Sequence, residues 1–131
     1  MITEDYVSFE TAKILKEKGF DENCAALYDL RDGAFREKQT GYVFNNYQWD
    51  NFITAPTIQM AMKWLRKIHN ILVSPYALST GYYFEIFDLT NRDISGCKPL
   101  YKVGIPRNED VLSTYEEACE AAIKYCLENL I

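Results

Sequence analysis

The stretch PTIQMAMKWLRKIHNILV, residues 56–73, decides the fold. Its apolar residues recur at helical spacing, which predicts an amphipathic helix followed directly by a strand. Pro56 suits the first turn of this helix, because its missing amide would have no partner there. The predicted buried stripe is Ile58, Ala61, Met62, Leu65 and Ile68. The opposite, solvated side is formed by Lys63, Arg66 and Lys67.

Three strand patterns follow this helix. Ile71–Val73 begins the first, and Pro75 interrupts it or places it at a sheet edge. The second pattern, Tyr82–Leu89, is apolar on both faces. The third, Leu100–Ile105, alternates between apolar and polar residues, with Tyr101, Val103 and Ile105 inward. Because these strands are short and connected by turns, we expect them to pair in the antiparallel sense.

Two further helices carry signals at their ends. Ser8 is suited to cap the first helix, which runs to a left-handed stop at Gly19 with Phe20 folded back on it. Thr114 and Glu117 have the spacing of a capping box at the start of the last helix. That helix is predicted to run almost to the final residue.

The part of the chain between the first two helices gives the weakest pattern. Cys24–Leu30 predicts a strand, and the Asp32-Gly33 pair predicts a tight turn after it. The returning strand, from Ala34, is poorly marked. From Gly41 to Phe52 the aromatic spacing fits neither the helical nor the strand period, so we interpret this segment as an aromatic-rich loop.

The predicted element order is therefore α-β-β-α-β-β-β-α. A chain of 131 residues with 48% hydrophobic residues can form one core, so we expect a single domain over residues 1–131. The predicted class is α+β, with two layers. Three helices lie mainly on one face of an antiparallel sheet of about four to five strands.

Composition and charge exclude several classes of protein. The net charge of −5 argues against general affinity for phosphate backbones. Acidic residues exceed basic ones in residues 1–30 and 71–131, whereas residues 31–70 are basic. The sequence has no apolar run long enough to cross a bilayer, and its first twenty residues do not resemble a signal peptide. We expect a cytoplasmic protein without a membrane partner.

The four cysteines do not form a metal-binding pattern. Cys24, Cys97, Cys119 and Cys126 lack the C-x-x-C spacing that lets two thiolates hold one zinc ion, and His69 is the single histidine. Cys119 and Cys126 are two helical turns apart, too far for a disulfide. We therefore predict four free thiols that are buried or partly buried, with no metal and no cofactor.

The sequence also argues against nucleic-acid binding and catalysis. The order helix, three strands, helix from Pro56 onward is that of a double-stranded-RNA-binding domain, which needs basic residues at the start of its last helix. This chain has Glu116, Glu117 and Glu120 there, so no nucleic-acid partner is expected. Glu85 and His69 are the residues an enzyme could use. We expect Glu85 to face water or to pair with Lys102 on a neighbouring strand, and His69 has no acid or nucleophile beside it in the sequence, so no catalytic residue is assigned.

The surplus of aromatic residues is the strongest functional signal. Ten Tyr, seven Phe and two Trp exceed what this small core can readily bury, and clustered exposed aromatics mark interfaces. The alternative is that tyrosines are half-exposed without a function, because the side chain is amphipathic. The candidate interaction surface is Tyr42, Phe44, Tyr47, Trp49, Phe52, Tyr83 and Phe87.

Four segments carry a resemblance to a known group. They are VSFETAKILKEKGFD (7–21), APTIQMAMKWLR (55–66), YEEA (115–118) and YCLENLI (125–131). These segments resemble a family of small uncharacterised proteins encoded by gut anaerobic bacteria and their phages or mobile elements. The resemblance covers the three helices and not the middle strands. It implies a phage or mobile-element setting, with no activity and no site residues.

The sequence therefore predicts a non-enzymatic binding or accessory protein that acts through an aromatic surface on a protein partner or as a homodimer. One alternative is an acidic inhibitor of a host defence factor, favoured if the acids of residues 1–30 and 110–128 form one face. A second alternative is a small enzyme, favoured if Glu85 or His69 lies in a deep pocket.

Overall fold

The computed structural model describes residues 1–37, 43–48, 50–101 and 104–131. Its helices are α1 Phe9–Glu17, α2 Ile58–His69 and α3 Tyr115–Asn129. Its strands are β1 Ala26–Asp29, β2 Phe35–Glu37, β3 Phe52–Thr54, β4 Ile71–Leu78, β5 Gly81–Asp93 and β6 Gly96–Pro99. A short 3-10 turn, Asn108–Asp110, precedes α3.

The six strands form two antiparallel sheets, which confirms the α+β class. The first sheet has the order β2-β1-β3 and the second has the order β4-β5-β6. The sequence predicted one sheet of four to five strands, whereas the strands that the structure describes form two sheets of three. Of β3, only Phe52 falls in the segment interpreted as a loop. The first hairpin is present, but its strands pair Tyr28 with Phe35 across a loop that is longer than the predicted tight turn.

The first sheet ends at β3 because side chains take the place of a fourth strand. The buried Asn46 accepts a hydrogen bond from the Thr54 backbone amide at 2.9 Å and donates one to the Phe20 carbonyl at 2.9 Å. Lys16 donates to the Phe52 carbonyl at 3.3 Å. These bonds satisfy outward-facing backbone groups of β3, so β4 pairs elsewhere.

The second sheet is built on the long strand β5. The predicted strand with Pro75 is β4, and it lies at the sheet edge, where a missing amide breaks no ladder bond. The third predicted strand was misplaced, since β6 lies at Gly96–Pro99. Of residues 100–105, the structure describes 100, 101, 104 and 105, and none of these four is in a strand. Ile105, predicted inward, is 98% exposed.

The helix ends follow the predicted local chemistry. Ser8 and Thr114 accept hydrogen bonds from the amides three residues later, and the Phe20 amide donates to the Leu15 carbonyl at 2.9 Å in a Schellman motif. Two details differ. Thr57 caps α2 and Pro56 precedes the cap, while Glu117 reaches back to Ser113 rather than to Thr114.

The core lies between the helices and the two sheets. Helix α3 packs against β4 and β5, and α2 packs against β4 and α3. Leu65 of α2 is fully buried, and Trp64 is 4% exposed and packs on Phe20 with ring centroids 5.5 Å apart. Ile68 was predicted to be buried but is 56% exposed.

Candidate functional site

A row of four aromatic rings crosses the surface where α1 meets the first sheet. Tyr6 packs on Phe35 with ring centroids 5.1 Å apart, Phe35 packs on Tyr28 at 5.5 Å, and Tyr28 packs on Phe9 at 5.5 Å. Phe9 is 39% exposed and Phe35 is 41% exposed. We call these four residues the aromatic row. It presents aromatic surface from two strands, one helix and the N-terminal segment.

The local structure fixes each ring of the row. Phe9 is the first residue of α1, and Tyr28 and Phe35 are cross-strand partners in the first hairpin. The Tyr28 hydroxyl donates a 2.6 Å hydrogen bond to the Val7 carbonyl. Burial raises the pKa of Tyr6 and of Tyr28, so both phenols are protonated donors at neutral pH. The rings are therefore held in place before any partner binds.

The turn beside the row is held by a carboxylate that sequence reasoning did not single out. Asp29 is 4% exposed and accepts hydrogen bonds from the Arg31 backbone amide at 2.9 Å and from its guanidinium at 2.7 Å and 3.0 Å. Arg36 approaches the same carboxylate at 3.4 Å. The hydrogen bonds from Arg31 lower the pKa of the Asp29 carboxyl well below its usual range, and the nearby charge of Arg36 lowers it further. This arrangement supports the hairpin that carries Tyr28 and Phe35.

One end of the aromatic row opens into a shallow acidic hollow. The hollow has a volume of about 290 Å³ and is lined by Asp5, Tyr6, Ser8, Ile58, Glu116, Glu117 and Glu120. We call these residues the acidic hollow. Four of its seven residues carry carboxylates, and Tyr6 belongs both to the hollow and to the row.

The acids of the hollow lie together because three helices begin there. Ser8 caps α1, Ile58 begins α2, and Glu116 and Glu117 are in the first turn of α3. The partial positive charge at helix N-termini stabilises carboxylates nearby. Glu120 accepts a 2.9 Å hydrogen bond from the Ser8 amide, which ties α3 to the start of α1.

The N-terminal segment is held in this position by backbone bonds. The Ile58 amide donates to the Asp5 carbonyl at 2.9 Å, and the Val7 amide donates to the Pro56 carbonyl at 3.1 Å. An ion pair of 3.0 Å between Lys124 and Glu10 joins α3 to α1. Acids from residues 1–30 and from residues 110–128 therefore lie next to each other, although they are far apart in the sequence.

The candidate surface predicted from sequence does not form one patch. Phe52 and Tyr83 are buried, at 6% and 8% exposure, which corrects their assignment as surface residues. Phe44 is half-buried and packs on Phe52 at 5.5 Å, and Phe87 is half-buried on β5. Phe52 belongs to the first sheet, whereas Tyr83 and Phe87 belong to the second.

The other members of that surface have different outcomes. Tyr47 is 66% exposed, as a surface residue should be. Tyr42 and Trp49 lie outside the residues that the structure describes. The aromatic row was missed because its members come from four separate segments. The one signal for it was the Asp32-Gly33 turn, which placed the strands of Tyr28 and Phe35 beside each other.

The two residues considered for catalysis lie in unlike environments. Glu85 is exposed on β5, opposite Ser74 of β4. The pKa of His69 is lowered by burial, and its ring packs on Trp64 with centroids 4.6 Å apart. Its Nε2 atom is buried and has no hydrogen-bond partner among the described residues. Neither arrangement supplies a paired acid and base.

The described part of the chain offers no grouping of three or more His, Cys, Asp or Glu side chains placed to hold a metal ion. All four cysteines are free, and Cys24, Cys119 and Cys126 are buried. None of the helices that the structure describes is long and apolar enough to cross a membrane. Comparisons of the chain with protein-family models, with curated proteins and with solved structures give no match.

Proposed function

We propose that this protein is a non-enzymatic binding protein whose partner is a basic segment of another protein. The segment would bind across the aromatic row and the acidic hollow, which together we call the aromatic–acidic surface. One observation carries the proposal. A half-exposed row of four rings runs into a hollow lined by four carboxylates, and Tyr6 is part of both.

The chemistry of this surface suits Arg and Lys side chains. Cations bind over aromatic faces, and guanidinium groups also form paired hydrogen bonds with carboxylates. The exposed parts of Phe9 and Phe35 add apolar area, and aromatic anchors of this kind dominate interface energies. A basic segment that also contains apolar residues would use both halves of the surface.

Electrostatics favour the same partner. The Asp5 and Glu116 carboxylates accept no hydrogen bond within the described residues. The Glu117 carboxylate accepts hydrogen bonds from Ser113, and the Glu120 carboxylate accepts one from the Ser8 amide. The net charge of −5 would increase the rate at which a basic partner reaches the surface. We expect this binding to weaken as the salt concentration rises.

An acidic inhibitor of a host defence factor is the second candidate. Asp5 lies with Glu116, Glu117 and Glu120 in the acidic hollow, which supports this candidate because acids from both ends of the chain share one region. Such an inhibitor would cover a basic surface of its target. A cytoplasmic location and a phage or mobile-element origin are part of the proposed function. The location rests on sequence patterns alone, and the origin rests on the resemblance alone.

Peptide binding followed by NMR tests the proposal. A short synthetic peptide of alternating Arg and Ala should shift the amide signals of residues 5–10, 28, 35–37 and 116–120. The same peptide with Gln in place of Arg should leave them unchanged. The double variant Asp5→Lys, Glu116→Lys should weaken Arg-peptide binding by about tenfold or more.

A matched control separates a local site from overall charge. The double variant Glu85→Lys, Asp93→Lys changes the net charge equally, on the second sheet, and should bind the Arg peptide with no more than a small loss. Equal weakening by both double variants, or shifts spread over the whole molecule, would overturn the proposal. Self-association in sedimentation, lost in a Phe9→Ala, Phe35→Ala variant, would instead assign the surface to a homodimer.

A further inference from the structure

A separate cavity lies on the second sheet and shares no lining residue with the aromatic–acidic surface. It has a volume of about 270 Å³ and opens between β5 and the segment that leads to the 3-10 turn. Its lining residues are Tyr83, Tyr101, Gly104, Ile105, Pro106, Arg107 and Asp110. Typical small-molecule pockets have volumes of about 300–1,000 Å³, so this cavity suits a small metabolite.

The floor of the cavity is a hydrogen-bonded pair of phenols. Tyr83 donates to the Tyr101 hydroxyl at 3.0 Å. Because Tyr83 is the donor in this bond, the Tyr101 O–H remains available to donate. No described residue accepts a hydrogen bond from it. Burial raises the pKa of Tyr83 well above its usual range, and the hydrogen bond to Tyr101 and the negative charge of Asp110 raise it further. Tyr83 therefore stays protonated at neutral pH.

The surrounding aromatic rings hold this floor rigid. Tyr101 packs on Tyr125 with centroids 4.6 Å apart and on Phe84 at 4.9 Å. Tyr83 stacks on Phe84 at 4.8 Å. The hydroxyls are therefore presented from fixed rings, and a ligand would not need to order them on binding.

The mouth of the cavity carries one positive and one negative side chain. The Asp110 amide donates to the Arg107 carbonyl at 2.9 Å, so a backbone turn fixes the spacing of the two residues. Arg107 makes a long, exposed ion pair of 3.5 Å with Glu109, which contributes little energy. In the described chain Arg107 and Asp110 do not pair with each other. The lining of the cavity thus includes one cation and one anion.

We propose that this cavity binds a free α-amino acid with an apolar side chain. The ligand carboxylate binds the Arg107 guanidinium and the unused hydroxyl of the phenol pair, and the ammonium group binds the Asp110 carboxylate. The apolar side chain packs against the part of the cavity formed by Tyr83 and Pro106. A zwitterion uses the guanidinium of Arg107 and the carboxylate of Asp110 together, whereas a ligand with a single charge uses only one of them.

Titrations with L-leucine and L-phenylalanine test the proposal, monitored by NMR shifts of residues 83, 101 and 104–110. Two analogues of L-phenylalanine identify the role of each charge. The methyl ester lacks the carboxylate and N-acetyl-L-phenylalanine lacks the ammonium group. Each analogue should bind about tenfold or more weakly than the free amino acid.

Variants of the two mouth residues complete the test, because both are exposed and their substitution should not unfold the protein. Arg107→Gln should weaken L-phenylalanine about tenfold and leave the methyl ester unchanged. Asp110→Asn should weaken L-phenylalanine and leave the N-acetyl analogue unchanged. Asp93→Asn, outside the cavity, is the matched control and should change neither affinity.

Three outcomes would overturn the proposal. They are an absence of shifts at millimolar amino acid, analogues that bind as tightly as the free amino acids, and an Arg107→Gln variant that weakens the ester as much as L-phenylalanine. None of them bears on the Arg-peptide experiment, because the two sites share no residue.

Discussion

The Tyr6 hydroxyl donates a 2.9 Å hydrogen bond to the Glu37 carboxylate. This bond connects the N-terminal segment to β2, and the Tyr6 ring packs on Phe35 of the same strand. Burial raises the pKa of Tyr6, and the hydrogen bond to Glu37 raises it further. The contact therefore places one ring at the junction between the aromatic row and the acidic hollow.

Tyr6→Phe should separate the hydrogen bond from the ring. Because the bond is exposed, its loss should lower the free energy of unfolding by no more than about 1 kcal/mol, measured by urea unfolding. Arg-peptide binding should be retained, since the ring remains. Tyr6→Ala should lose most of that binding. Tyr47→Phe, at an exposed tyrosine outside the site, should change neither quantity. Equal peptide binding by the Phe and Ala variants would show that the ring is not part of the interface.

The core of α2 can be tested with two neighbouring residues. Leu65 is fully buried and Lys63 is exposed on the other side of the helix. Leu65→Ala should lower the free energy of unfolding by about 2–5 kcal/mol, because it leaves a cavity. Lys63→Ala should lower it by less than about 0.5 kcal/mol. Similar urea midpoints for the two variants would contradict this placement of the helix.

His69 should make stability depend on pH. Burial lowers its pKa in the folded protein below the ordinary value of 6.5, so the unfolded chain binds the proton more readily. The contribution to stability is then complete above about pH 6.5 and is lost as the pH falls through the folded pKa. Urea midpoints should decrease from about pH 7.5 to about pH 5.5, a range above that in which carboxyl groups titrate.

His69→Phe is the control for this effect. It keeps a ring against Trp64 and removes the titrating group, so its urea midpoint should stay nearly constant over the same range. If the variant and the natural sequence depend on pH in the same way, another group is responsible.

The four thiols should differ in reactivity. Burial raises the pKa of Cys24 and of Cys119 to about 11 and that of Cys126 to about 12, while Cys97 is partly exposed. Since the thiolate is the reactive form, a disulfide reagent should label one cysteine rapidly in the folded protein and all four in urea. Cys97→Ser should remove the rapid phase. Rapid labelling of two or more cysteines would contradict the burial of at least one of Cys24, Cys119 and Cys126.

Much of the fold could be predicted because its signals are local. Gly19 ends α1 with a positive φ of 91°, and Thr114 caps α3, since each depends on a few neighbouring residues. Pro75 marked an edge strand because a proline has no amide to donate. The periodic stripe of α2 was found by the same local reasoning.

The division into two sheets could not be predicted in this way. It depends on Asn46 and Lys16, whose side chains bond to the backbone of β3 from a loop and from α1, and no periodic pattern marks these contacts. The exposure of Ile68 and Ile105 likewise depends on which elements cover them, although both fit an apolar pattern.

The sequence by itself determined the α+β class, the helix ends and the acidic balance, because hydrophobic period, capping and charge act over a few residues. Only the tertiary structure decided which aromatics share a surface. Tyr6, Phe9, Tyr28 and Phe35 meet because a backbone bridge, a helix start and a hairpin register converge at one place. The Tyr28–Phe35 contact follows from a local hairpin, whereas the contacts of Tyr6 with Phe35 and of Phe9 with Tyr28 join distant segments through packing, and no local pattern encodes them.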